Sequence, residues 1–332
     1  MRILVHCTLP FSLAHGGQQI QIEQTIAALR SIGLDVEPLR WWDDRQTGDI
    51  IHYFGRMPAD QIELAHQKGI RVVMAELLTA TGSRSRRALW LQRIISRTLE
   101  RIAPRFVHAF HWKAYRRADA CVALTSWEAQ LMQYLFDAPA ERMHVVPNGV
   151  EDVFLQSRPG ERGPWLVCTA TITERKRVLE LAEAAVLART PLWIIGKAYY
   201  ASDPYAERFF ALAKQHPDTV RYEGPVDDRS VLARTYRAAR GFVLLSTMES
   251  LSLSALEAAA CGCPLLLSDL PWARSSFGED ASYCPVFDAE RTAAVLKAFH
   301  ERAPSLESPK TPLSWQEVAV RLRDVYTRVV SA

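Results

Sequence analysis

Residues 246–269 read STMESLSLSALEAAACGCPLLLSD. Just upstream, residues 241–245 (GFVLL) form a short apolar run of the kind a fully buried strand presents, and the run stops at Ser246 and Thr247. Leu251, Ala255, Leu256, Ala258, Ala259 and Ala260 then recur at helical spacing, while Gly262 and Pro264 give the stop expected just past a helix. Residues 264–268 (PLLLS) read as the following buried strand. A strand, loop, helix and strand in an open parallel sheet place a ligand at the strands' carboxyl ends, beside the helix N-terminus.

Two acids punctuate this unit, Glu249 in the loop before the helix and Glu257 on its second turn. Taken alone, each has an ordinary reading: one is an acid favoured by the helix dipole, the other a solvated helix residue. The surroundings of Glu257 point elsewhere. Its neighbours, Ala255, Leu256 and Ala258 to Ala260, are small and apolar, and a buried carboxylate needs partners.

Working outward, the chain alternates short apolar strands with amphipathic helices. Residues 2–6, 36–39, 50–54 and 72–75 read as strands in the first half, and 165–169, 192–196, 220–224 and 241–245 in the second. Such alternation implies parallel βα units and an α/β class. At 332 residues the chain exceeds what one core usually holds, so two domains are expected. Composition is that of a globular protein, 48% apolar and 23% charged, and a net charge of +3 argues weakly against nucleic acid as a partner. The six cysteines include no C-x-x-C pair and sit in apolar surroundings, as buried reduced thiols do. The N-terminal MRILVH is too short an apolar stretch for a signal peptide, and no window approaches a membrane span, so a cytoplasmic location is expected.

Several local features stand out. Gly16 and Gly17 follow the first strand, where backbone without side chains lets a ligand approach; no G-x-G-x-x-G is present, against a nicotinamide dehydrogenase. The stretch 84–117, from Arg84 to Arg117, holds ten basic residues against the lone acid Glu100, a local charge of +9 that leaves the rest of the chain at −6. Arg93, Arg97, Arg101 and Arg105 recur every four residues as a basic stripe, with Trp90, Leu91, Ile94, Ile95 and Leu99 as its apolar counterpart. That stripe is either a solvated arginine face or a surface for anionic lipid headgroups or phosphorylated acceptors. Residues 145–150 (VVPNGV) form a turn in which Asn148 and Gly149 readily take positive φ, making them hinge candidates. Thr171 and Glu174 stand at capping-box spacing, so a helix is expected to begin near Thr173. Arg175, Lys176 and Arg177 would crowd its first turn, where positive charge opposes the dipole and calls for an anion. Residues 314–330 predict a final helix with Val318, Leu322, Val325 and Val329 on one face.

Glu249 and Glu257 as E-x7-E with the following AAACGCPLLLSD, together with PNG at 147–149 and Lys176, resemble the family-4 retaining glycosyltransferases of the GT-B fold. The resemblance implies two Rossmann-like domains facing across a cleft. The first would be an acceptor-side domain, 1–157, joined by a C-terminal helix, 314–332, that crosses back; the second would be a nucleotide-sugar domain, 158–313. It implies sugar transfer from a nucleoside-diphosphate sugar to an acceptor hydroxyl, with retained configuration. In the family's terms Glu249 meets the transferred sugar and Glu257 the ribose. The backbone of Ser250, Leu251, Ser252 and Leu253 approaches the diphosphate, Lys176 faces it, and Gly16 and Gly17 lie against donor phosphate and acceptor. Pro225 and Val226 follow the strand whose end holds the nucleobase. The family's Arg five residues before the Lys is Thr171 here, so Arg175 or Arg177 would substitute, and its His after the fourth strand is replaced by Glu76 and Leu77.

As the sugar parts from the donor, its bonding electron pair leaves charge on the diphosphate, which Lys176, a neighbouring Arg and helix amides would stabilise. No D-x-D pair or His/Cys cluster has ligand spacing, so no cofactor and no metal are expected. No catalytic base is named: the departing phosphate itself would take the acceptor proton, and His108 and His111 read as packed or surface residues. A lipid-linked or cell-envelope glycan is the acceptor expected, with the enzyme peripheral at the inner face of an anionic membrane. Two alternatives remain open, a nucleotide-sugar 2-epimerase of the same architecture and a catalytically silent nucleotide-sugar binding module.

Overall fold

The computed structural model describes residues 1–8, 11, 16–103, 110–156, 161–200 and 202–331. Arg105 and His108 lie outside them. Contacts divide the chain into two units, Met1–Gly149 with Trp315–Ala332, and Val150–Ser314. The expected border between 157 and 158 falls outside the described residues.

The first unit is a six-stranded parallel sheet in the order β2-β1-β3-β4-β5-β6. Its strands are β1 (Arg2–Cys7), β2 (Asp35–Pro38), β3 (Ile50–Phe54), β4 (Arg71–Ala75), β5 (Ala120–Ala123) and β6 (Met143–Val145). Around it run helices α1 (Gly17–Ser31), α2 (Ala59–Gln67), α3 (Thr79–Gly82), α4 (Arg86–Ile102), α5 (Ala114–Arg117) and α6 (Ser126–Phe136). Every residue of β3 is buried, as a strand covered on both faces must be. The last helix, Trp315–Ser331, packs here against α1, burying Val318, Leu322, Val325 and Val329. Its Tyr326 hydroxyl hydrogen-bonds His52 of β3 at 2.5 Å, and burial drives the His52 imidazole down to about 3, leaving it neutral.

The second unit repeats the plan in the order β12-β11-β10-β7-β8-β9, again parallel throughout. The strands are β7 (Leu166–Thr169), β8 (Leu192–Ile195), β9 (Val220–Tyr222), β10 (Gly241–Leu244), β11 (Leu265–Ser268) and β12 (Ser282–Cys284). The helices are α7 (Asp152–Leu155), α8 (Val178–Ala188), α9 (Pro204–Gln215), α10 (Arg229–Ala238), α11 (Leu253–Ala260), α12 (Pro271–Phe277) and α13 (Ala289–Arg302), which leaves Trp315–Ser331 as α14. Gly196, just past β8, carries a φ of 150°, and a Cβ there would meet the Ala170 carbonyl oxygen at 1.9 Å. Only glycine lets the loops after β7 and β8 approach this closely.

Two local expectations are corrected. The helix expected near Thr173 begins at Val178, because Arg177 takes the left-handed region at φ 53° and interrupts the chain; Glu174–Lys176 is a separate single turn. Neither Asn148 nor Gly149 has positive φ; the chain passes from them into a parallel bridge between Val150 and Ser314, and Asn148 is buried.

Candidate functional site

In the second unit β8 and β9 lie on one side of β7 and β10 on the other, so the loops leaving β7 and β10 diverge at their carboxyl ends. Such a switch point is where an open α/β sheet holds its ligand. The loop after β7 brings Arg175 and Lys176; the loop after β10 brings Glu249 and runs into α11.

Hydrogen bonds tie the two loops together. The Thr247 amide donates to the Arg175 carbonyl at 2.9 Å, and the Ser246 hydroxyl donates to the same carbonyl at 3.3 Å. The Arg175 guanidinium donates to the Met248 carbonyl at 2.6 Å and to the Glu249 carboxylate at 3.0 Å. Lys176 pairs with the same carboxylate oxygen. Burial pushes the Glu249 carboxyl up, but two cations and their hydrogen bonds outweigh it and hold it below the ordinary carboxylate range. The site therefore carries Glu249 as an anion, with two cations converging on one oxygen.

Helix α11 starts beside this cluster. Ser252 caps it, its hydroxyl accepting from the Ala255 amide at 3.3 Å. The first-turn amides of a helix have no acceptor within the helix, so this end favours an anion. Ser250, Leu251 and Ser252 are buried in the approach, and Leu253 opens the helix.

Glu257, one turn further, is enclosed. Arg229 at the start of α10 pairs with it and also donates to Glu151 at 2.8 Å, while its guanidinium lies 4.7 Å from the Phe154 ring centre. The Tyr236 hydroxyl lies 3.5 Å from the second oxygen. Here burial outweighs the Arg229 cation, and the Glu257 carboxyl is pushed up to about 6.

The other expected residues divide. Arg177 turns away from Glu249 and donates to the Phe287 carbonyl, so of the two arginines it is Arg175 that stands at the cluster. Thr171, in the Arg position, lies in the loop after β7. Pro225 and Val226 lie between β9 and the Asp228 cap of α10, at the same carboxyl edge. Gly16 caps α1 in the first unit and Gly17 opens it; a Cβ at Gly16 would meet open space. Glu76, where the resembled family has His, is held by Arg56 through two hydrogen bonds of 2.8 and 3.0 Å and by the Tyr115 hydroxyl.

Sequence reading missed Arg229, Tyr236 and Glu151. A signal for Arg229 existed: like the 175–177 cluster, it is a cation at a helix start, which needs an anion to offset the dipole.

Two family models match in succession. Residues 29–149 match the glycosyl transferase 4-like domain, and residues 163–301 match glycosyl transferases group 1. The chain belongs to the group 1 glycosyl transferases.

A D-inositol 3-phosphate glycosyltransferase of Xylanimonas cellulosilytica is 31% identical over 241 residues, 64% of this chain and 57% of that protein. The chain thus spans less than two thirds of that relative's length. Among solved structures, sucrose-phosphate synthase from Thermosynechococcus elongatus superposes with a TM-score of 0.69 at 18% identity, covering 100% of both chains. Anabaena Alr3699/HepE, solved with UDP-glucose, gives a TM-score of 0.65 at 13% identity, covering 100% of this chain and 98% of that one. These likenesses establish the GT-B fold with its two Rossmann-like units.

Proposed function

We propose that this protein is a retaining glycosyltransferase that moves a sugar from a nucleoside-diphosphate sugar to an acceptor hydroxyl. The observation that carries the reading is the convergence of Lys176 and Arg175 on Glu249 at the β7/β10 switch point, beside the start of α11. A diphosphate arriving there would draw Lys176 and Arg175 to itself and free the Glu249 carboxylate to accept from sugar hydroxyls. As the glycosidic bond to phosphate breaks, the two cations and the first-turn amides of α11 stabilise the charge that develops on the leaving group. Serving in the place a divalent ion takes in other enzymes, they support a metal-independent reaction with no cofactor. The leaving phosphate then takes the acceptor proton, and the new bond forms on the face the old one left.

In this reading the loop of Ser250 to Leu253 lies along the diphosphate and Pro225 and Val226 flank the base. Glu257, held by Arg229 and the Tyr236 hydroxyl, hydrogen-bonds the nucleotide's ribose. Gly16 and Gly17 offer backbone that a phosphate can approach, and Asn148 and Gly149 at the unit junction keep the hinge role. The acceptor is a lipid-linked or envelope glycan, and the protein works peripherally at an anionic membrane on the cytoplasmic side.

The test is turnover of a panel of UDP-, GDP- and ADP-sugars by wild type and Glu249→Ala. The reading stands if one donor is turned over in the presence of chelator and the variant loses turnover while still binding the nucleoside diphosphate. Turnover unchanged in Glu249→Ala, or a free epimerised sugar nucleotide as the product, overturns it.

A further inference from the structure

Helix α4 presents to solvent the side opposite to the one its sequence suggests. Arg93 and Arg97, half of the predicted basic stripe, turn onto α6. Arg93 donates to the Tyr134 carbonyl with its guanidinium 4.3 Å from that ring's centre, and Arg97 pairs with Asp137 just past the end of the helix. Leu89 and Ser96 are buried on the same side. The outward side carries Trp90, Leu91, Ile94, Ile95 and Ile102, between 42% and 73% exposed. At helical spacing Trp90, Leu91, Ile94 and Ile95 form one apolar patch, and Ile102 lies two turns further along the same side beyond Thr98, whereas exposed apolar residues on an ordinary surface are scattered singly.

The rim of that face is basic. Arg84, Arg86 and Arg87 at the beginning of the helix and Arg101 near its end are all exposed. The helix's one acid, Glu100, is turned toward Arg97 and Arg116. Among the described residues no helix is long and apolar enough to cross a membrane, and α4, with polar and apolar sides, would lie on one. A second copy is a poor occupant: a two-fold contact lays the same patch on itself and brings the arginine rims against each other.

We propose that α4 is a membrane-docking helix. It lies in the plane of an anionic bilayer, with Trp90, Leu91, Ile94, Ile95 and Ile102 entering the boundary between headgroups and acyl chains and the rim arginines meeting lipid phosphates. The proposal rests on the peripheral location inferred above and names the surface responsible. Arg93 and Arg97 serve to hold the helix on α6 and do not reach lipid.

Co-flotation with vesicles of mixed phosphatidylglycerol and phosphatidylcholine tests it without any sugar transfer, so failure of docking and failure of the transferase reading are separate results. Wild type is expected to float with the mixed vesicles and to bind pure phosphatidylcholine more weakly. Leu91→Ser with Ile95→Ser, both on the exposed face, should keep the wild-type melting temperature and lose at least about tenfold in binding, since each removes apolar surface from the inserted face. Arg87→Glu with Arg101→Glu should weaken binding to the mixed vesicles alone. The proposal is overturned by absent wild-type binding, by equal binding to both vesicle types, or by a Leu91/Ile95 variant that floats like wild type. A concentration-dependent dimer that the same variant abolishes, with no vesicle binding, overturns it in favour of a second copy.

Discussion

Glu249 and Glu257 stand on one loop and helix, and burial works to raise both carboxyls, yet they settle on opposite sides of the ordinary carboxylate value. The difference lies in the company each keeps. Glu249 faces two cations, Lys176 and Arg175, on one oxygen. Glu257 has Arg229 alone, and that arginine is shared with Glu151, whose own negative charge adds to the burden. A carboxylate with surplus positive charge beside it is poised to exchange those partners for a ligand. One enclosed with a single shared cation is fixed in place and ties α10, α11 and the chain near α7 together. The lesson is that burial alone does not assign a role to an acid; the balance of charge around it does.

The largest effect expected from this contrast is on activity. Lys176→Ala should lower turnover of the donor sugar by about 100- to 1,000-fold, the range seen when one preorganised stabiliser of developing charge is removed. Steady-state kinetics checks it. A loss under about tenfold would place Lys176 outside the charge-stabilising set and erase the contrast from the Glu249 side.

Arg229→Met should act on stability instead, leaving Glu257 enclosed without its cation. A destabilisation of about 2–4 kcal/mol is expected in urea unfolding, as for breaking a buried pair by removing one partner. Adding Glu257→Gln to that variant should recover much of the loss, because the stranded charge is then gone. Two losses that simply add would show that Arg229 and Glu257 do not act as a pair.

The smallest effect is on pH dependence, and its sign separates the two acids. Glu257 binds its proton more tightly folded than unfolded, so its contribution to stability is fully present below the ordinary value of 4.5 and is lost as pH rises to about 6. Glu249, lowered, contributes stability above the ordinary range, and that is lost as pH falls through its folded value. Between about pH 4 and pH 7 the stability difference between Glu257→Gln and wild type should therefore move by about 2 kcal/mol in the variant's favour. Urea unfolding at constant ionic strength measures it, and a flat difference would mean that Glu257 is not raised.

Much of this was legible from residues 246–269. The strand, capped helix and second strand appear where the apolar spacing puts them, as β10, α11 and β11. Less was legible beyond Asp269, where α12, β12 and α13 carry no signal as plain as that run of buried strand and small-residue helix, and α13 finds its place by packing against α8. Arg175 and Arg177 were indistinguishable as letters. What separates them is one left-handed residue, which turns Arg177 back toward the Phe287 carbonyl and leaves Arg175 at Glu249. Helix α4 shows the same limit. Its periodicity states that it has a polar and an apolar side, but which side packs depends on Tyr134 and Asp137, distant in sequence, offering acceptors to Arg93 and Arg97.

By itself the sequence determined the alternation of strand and helix, the parallel α/β class and the position of Glu249 before a helix start, because periodicity and capping are local properties of the chain. Only the tertiary structure decided which cations reach Glu249, what encloses Glu257 and which side of α4 meets solvent. Those outcomes depend on charge and burial contributed by residues tens of positions away, and no local pattern records them.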